Sequence, residues 1–131
     1  MTDSPALTVV TTDPTPPYEQ LRRQLTELIR YGVLAPGDRL PPLRQLAADL
    51  GLAVGTVART YRELELAGLV VSRRGGGTRV APAPPAAQDP AGVLRDRAGA
   101  LRERAAAFVR EARLLGADDD QIRSAVADAL T

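Results

Sequence analysis

PPLRQLAADLGLAVGTVARTYRELELAGLVVSRRGGGTRV, residues 41 to 80, is the stretch whose reading decides the fold of this chain. Leu43, Leu46, Ala47 and Leu50 recur at spacings of three and four and mark one apolar face of a short helix. Pro41 and Pro42 open it, and Gly51 stops it at the position where a left-handed C-terminal cap favours glycine. After a short break a second helix begins. It has Val57, Tyr61 and Leu64 on its buried side and Gly55, Thr56, Arg59, Arg62 and Glu63 on the other. Gly68 ends that helix, and LVVS and TRV then read as two short strands around the glycine-rich tip RRGGG. Two helices joined by a glycine turn and followed by a β-hairpin make a helix-turn-helix with a wing.

Toward the N-terminus, APGD at 35 to 38 puts Pro and Gly at the centre of a tight turn, and Arg39 and Leu40 follow as a brief extended piece. Tyr18, Leu21, Leu25, Leu28 and Ile29 predict an amphipathic helix from Pro17 to about Arg30. Residues 1 to 16 are an N-terminal extension in which LTVV reads as a short strand, and TTDPTPP has too many prolines for a helix. The winged helix-turn-helix domain is thus expected over 17 to 80. Toward the C-terminus, APAPPAAQDP at 81 to 90 holds four prolines and no large apolar residue, and it reads as a semi-rigid linker.

Residues 91 to 131 form the second module. Leu94, Ala98, Leu101, Ala105, Phe108, Ala112 and Leu115 alternate spacings of four and three, a seam that looks for a partner. Gly116 ends this helix. Asp118 to Asp120 supply an N-cap and acids suited to a helix dipole, and Ile122, Ala125, Val126 and Ala129 give a short last helix. The expected fold class is mainly α with a small β-wing: a winged helix-turn-helix domain followed by a two-helix C-terminal dimerisation module.

Composition narrows the chemistry. The 131 residues contain no Cys and no His, which removes the thiol nucleophile, the imidazole base and the two commonest transition-metal ligands. Asp118 to Asp120 are better explained as a helix start than as a metal site, so no metal, cofactor or enzymatic activity is expected. Only 3% of residues are aromatic, which leaves little to line a deep ligand pocket. No apolar run is long enough to span a bilayer, and the N-terminus lacks the features of a signal peptide, so the expected location is cytoplasmic, without membrane association. The net charge of +1 does not itself point to nucleic acid. The distribution does: residues 38 to 79 carry Arg39, Arg44, Arg59, Arg62, Arg73, Arg74 and Arg79 against Asp38, Asp49, Glu63 and Glu65. The use of Arg throughout, without Lys, also fits simple coding bias.

The stretch from Pro17 to Val80 resembles the DNA-binding domain of the GntR family of bacterial transcription regulators. YEQL, PGDRLP, RQLA, the TV of the second helix-turn-helix segment, RELE followed by AGLV, and RGGGT all stand in that family's order and spacing. The short two-helix tail resembles the YtrA-type subfamily, whose tail is a dimerisation element and whose members often control transporter operons. Matching residue by residue, the resemblance places Arg44, Gly55, Thr56 and Gly75 on DNA-contacting positions. Two departures stand out: Pro42 replaces the family's frequent Ser N-cap, and Ala53 and Val54 replace polar contact residues, so no contact role is carried onto them.

The residues agree with that implication. Thr56 can bond a phosphate at the start of a helix entering the major groove, and Gly55 lets the backbone come close. Arg59 shares that face and is the candidate for reading a base edge, guanine by preference. Arg73, Arg74, Gly75 and Gly76 form a wing tip without bulk that can lie along a backbone while arginine enters a groove. The bland alternatives are a solvated Arg44, an Arg59 paired with Glu63, and wing arginines that serve solubility. Tyr18 and Tyr61 read as core. In the tail, Leu94, Ala98, Leu101, Ala105, Phe108, Ala112, Leu115, Ile122 and Val126 are the candidate dimerisation residues, with a hairpin folded back on its own chain as the alternative. The expectation is therefore a homodimeric repressor on a pseudo-palindromic double-stranded DNA operator. The other reading is a winged-helix interaction or architectural module without sequence-specific binding. Any small-molecule effector stays unidentified.

Overall fold

The computed structural model describes residues 7 to 82 and 90 to 131. They fall into two compact units, one ending at Val93 and one running Leu94–Thr131. The architecture is mainly α with a small antiparallel hairpin: α1 (Pro17–Arg30), α2 (Leu43–Leu50), α3 (Val54–Leu66), β1 (Val70–Arg73), β2 (Gly77–Val80), α4 (Pro90–Leu114) and α5 (Asp119–Ala129).

Each break between elements has a local cause. α1 starts with Pro17 at its first turn, where a missing N–H costs nothing. Pro36 and Gly37 turn the chain after α1, Gly37 with φ +87°, and the Asp38 amide closes the turn on the Ala35 carbonyl at 2.9 Å. α2 ends on Gly51 in the left-handed region. The first unit's core lies between the helices and the hairpin: Leu21, Leu25 and Ile29 of α1 and Val57 and Leu64 of α3 are almost wholly buried together with Leu40, Val70 and Val80. At about 1.5 to 3 kcal/mol per buried aliphatic side chain, this cluster is the main cohesive term of the unit.

Two buried hydroxyls lock α3 in place. Thr60 is fully buried, and its Oγ1 donates toward the Tyr18 carbonyl (3.0 Å) and the Thr56 carbonyl (3.2 Å). The Tyr61 hydroxyl donates to the Pro41 carbonyl at 2.6 Å, which fixes the chain as it enters α2. Burial pushes the Tyr61 phenol well above its ordinary pKa.

The hairpin pairs Val70 with Val80 and Arg73 with Gly77. The extended piece expected at Arg39 and Leu40 joins it: Arg39 bridges Arg79, Leu40 donates to the Thr78 carbonyl and Val80 to the Asp38 carbonyl, both at 2.8 Å. The hairpin is also tied to α3, because the Ser72 amide donates to Glu65 Oε2 at 3.1 Å.

The LTVV stretch departs from the expectation of a strand. It forms no strand among the described residues; the Gln24 amide brackets Thr8 and the Gln20 amide brackets Val10, each through both its oxygen and its nitrogen. Two helix side chains thereby satisfy backbone groups that a neighbouring strand would otherwise serve. Leu7 reaches the core from this segment. The expected 81 to 90 linker lies mostly outside the described residues. At its near end Ala81 is buried and donates to the Leu69 carbonyl at 2.9 Å, and at its far end α4 has begun at Pro90.

In the second unit, α4 gives way at Gly116 (φ +83°), where the Ala117 amide returns to the Ala112 carbonyl at 3.1 Å. Asp118 caps α5 with a reciprocal box: its carboxylate accepts the Gln121 amide at 2.8 Å, and Gln121 Oε1 accepts the Asp118 amide at 2.9 Å. Ala112 and Ile122 are buried beside this turn within the single chain, and Leu115 lies just past the end of α4. Most of the seam is open, with Leu101 70% and Phe108 40% exposed.

Candidate nucleic-acid interface

The candidate residues lie on three segments of the first unit. α3 carries the first. Its buried stripe of Val57, Thr60, Tyr61 and Leu64 turns Gly55 and Arg59 outward, and Gly55 has open space where a side chain would stand. Thr56 is half-buried, and its amide closes the first turn on the Ala53 carbonyl at 3.0 Å. The N-cap, Ala53, makes no side-chain hydrogen bond, and Val54 is 41% exposed. The start of α3 therefore presents backbone, small side chains and one exposed aliphatic group.

Arg59 is exposed but not idle. Its guanidinium lies over the Tyr18 ring, 3.7 Å from the ring centre, and its Nε is 3.5 Å from Glu63 Oε1. The pairing with Glu63 that i,i+4 spacing allows is thus present. Tyr18, expected in the core, is only half-buried and serves as the platform for this arginine. Its partner contact could not be read from periodicity, because it joins two helices far apart in sequence.

The second segment is the start of α2. Arg44 is exposed, and the Pro42 N-cap offers no side-chain acceptor to the first-turn amides. The third is the hairpin tip, where Arg73, Arg74 and Gly75 are exposed. The Gly76 amide closes a tight turn on the Arg73 carbonyl at 3.0 Å, with Gly75 at φ +78°. A side chain larger than glycine's would strain that turn. Arg39 is a further basic residue here that was not among the sequence candidates. It lies against Gly77, so close that a Cβ on that glycine would stand 3.0 Å from the Arg39 Nε and Nη2. Among the described residues no group of His, Cys, Asp or Glu could hold a metal ion, and no helix is long and apolar enough to cross a membrane.

Residues 17–80, which span α1 to the end of β2, match the model of the bacterial regulatory proteins of the gntR family. The HTH-type transcriptional regulator Rv1152 of Mycobacterium tuberculosis is 45% identical over 61% of this chain and 72% of its own length. The chain belongs to the GntR family. Within that family it is similar to the HTH-type transcriptional repressor YtrA of Bacillus subtilis, 42% identical over 51% of this chain and 52% of that protein. Among solved structures, YtrA from Sulfolobus acidocaldarius, described as a GntR-family transcription factor, is 32% identical with a TM-score of 0.54, and covers 77% of this chain and 97% of its own. Among GntR proteins the chain is thus of the YtrA type. The DNA-binding domain of AraR in complex with operator ORX1 is 29% identical with a TM-score of 0.53, covering 57% of this chain and 96% of that one. GntR proteins are transcription regulators, and the winged unit is this chain's DNA-binding domain.

Proposed function

We propose that this GntR regulator is a cytoplasmic homodimer that represses transcription by holding a pseudo-palindromic operator with two winged units. The observation that carries the reading is the exposed, bulk-free start of α3 combined with an arginine-flanked wing tip on the same compact unit. α3 enters the major groove, with Gly55 allowing close approach, Thr56 on a phosphate and Arg59 on a base edge. Arg44 of α2 and the wing residues Arg73, Arg74, Gly75 and Gly76 flank it along the backbone. Val54, where the family more often has a polar group, is suited to a thymine methyl. A repressor reading fits the relatives, one of which is a repressor by name and another of which is seen on an operator.

The tail supports the dimer. Leu94, Leu101, Phe108, Leu115, Val126 and Leu130 are all exposed in the single chain, an apolar stripe that a soluble protein covers. A second copy covers it with itself, and the small Ala98 and Ala105 let the helices approach closely. Ala112 and Ile122, already buried in their own chain, then shape the stripe from beneath. Two units would read half-sites about 10 bp apart or a multiple of that. The controlled genes, a transporter operon among the options, follow from the operator sequence.

Selection of bound sequences from random duplex DNA tests this directly. The expected result is one enriched inverted repeat bound by two chains; recovery of no preferred sequence would leave an architectural DNA-binding role instead. Within the selected site, Arg59→Ala is expected to weaken binding and Glu63→Ala to strengthen it, because Arg59 must exchange its carboxylate for the base.

A further inference from the structure

A groove of about 340 Å³ lies between the start of α2 and the base of the wing, lined by Arg39, Pro42, Arg44, Tyr61, Gly77 and Thr78 among others. Its lining holds two arginines and no carboxylate. Neither Arg39 nor Arg44 forms an ion pair among the described residues, whereas Arg22, Arg23 and Arg59 each pair with a glutamate. Two arginines and no acid along one groove give it a positive potential that favours an anion. Arg39 is also positioned there by the fold. Its backbone is stitched to β2 through the bridge to Arg79, and its Nε and Nη2 lie 3.0 Å from where a Cβ on Gly77 would stand.

We propose that Arg39 is a DNA-contacting residue that holds one backbone phosphate at the mouth of this groove, with Arg44 on the opposite wall. The proposal rests on the DNA-binding reading above and adds a contact outside α3 and the wing tip. A guanidinium presents a planar fork matched to phosphate oxygens, and one already packed by its edge against a glycine loses less freedom on binding than a free side chain. Because a phosphate is the same at every base pair, the contact adds affinity without sequence preference.

The test measures binding of the full-length protein to its selected duplex and to a scrambled duplex across a salt series. Arg39→Gln is expected to weaken both by the same factor, on the order of ten-fold for each half-site, and to flatten the dependence of log affinity on log salt by about two units, one for each half-site. Arg39→Lys is expected to keep the wild-type slope. A scan of the duplex with single neutral methylphosphonates gives a second readout: wild type loses affinity at one phosphate per half-site where Arg39→Gln loses nothing further. A wild-type salt slope in Arg39→Gln, or a loss confined to the selected duplex, overturns the proposal. Should wild type bind no duplex at all, the DNA-binding reading itself fails, which is a distinct outcome.

Discussion

The two units spend their apolar residues in opposite ways. In the winged unit, Leu21, Leu25, Ile29, Val57 and Leu64 are sealed within one chain, while in the tail Leu94, Leu101, Leu114, Leu115 and Leu130 face outward. Leucine is common in both, so composition does not separate them. What separates them is geometry. Three helices crossing a hairpin enclose a core, whereas a long helix with a short hooked one buries little beyond Ala112 and Ile122. The winged unit is complete as a single copy, and in the proposed dimer the tail is completed by association.

The contrast predicts that equivalent substitutions have unlike consequences. Leu64→Ala removes a fully buried side chain that touches the centre of the first unit, and it should cost about 2 to 5 kcal/mol of unfolding free energy, read by denaturant titration. Leu101→Asp should leave that unit's unfolding midpoint unchanged yet convert the protein to monomers in sedimentation. Operator affinity should fall by about two orders of magnitude as the link between half-sites is lost. If Leu101→Asp instead unfolds the tail without changing the association state, the stripe is an internal surface and the contrast fails.

Smaller effects sharpen the picture within the winged unit. Arg59→Ala should cost about 1 to 3 kcal/mol of specific binding and relax discrimination at one base pair, with no change in stability. Tyr61→Phe should do the reverse: about 1 kcal/mol of stability lost with the hydrogen bond to Pro41, and unaltered base preference. The smallest change is expected from Val54→Ala, a reduced preference at a single A·T pair, measured by competition with substituted operators.

Much of this was legible in the sequence because the signals are local. Pro17, Gly51, Gly68 and Gly116 punctuate the chain, and the apolar spacing between them assigned the helices. The wing followed from two β-rich runs around three glycines. What escaped depends on contacts between distant segments. Gln20 and Gln24 look like ordinary exposed helix residues until the N-terminal stretch lies alongside them. Thr60 looks polar and hence outward, but the Tyr18 carbonyl gives its hydroxyl a partner inside. Arg39 was visible as a charge, not as a neighbour of Gly77, since a whole helix-turn-helix separates them in sequence. In the tail, heptad spacing alone could not say that Ala112 is hidden by the turn into α5 while Leu101 is not.

The bond from the Ser72 amide to Glu65 has one more consequence. It joins the last turn of α3 to the first strand of the wing, so the element proposed to enter the major groove and the element proposed to lie on the neighbouring backbone are held to each other like the jaws of a caliper. A caliper of fixed jaw width senses the shape of what it grips. Sequences that narrow or widen the groove between the jaws would then be distinguished at base pairs no side chain touches, through the energy needed to deform the duplex to fit.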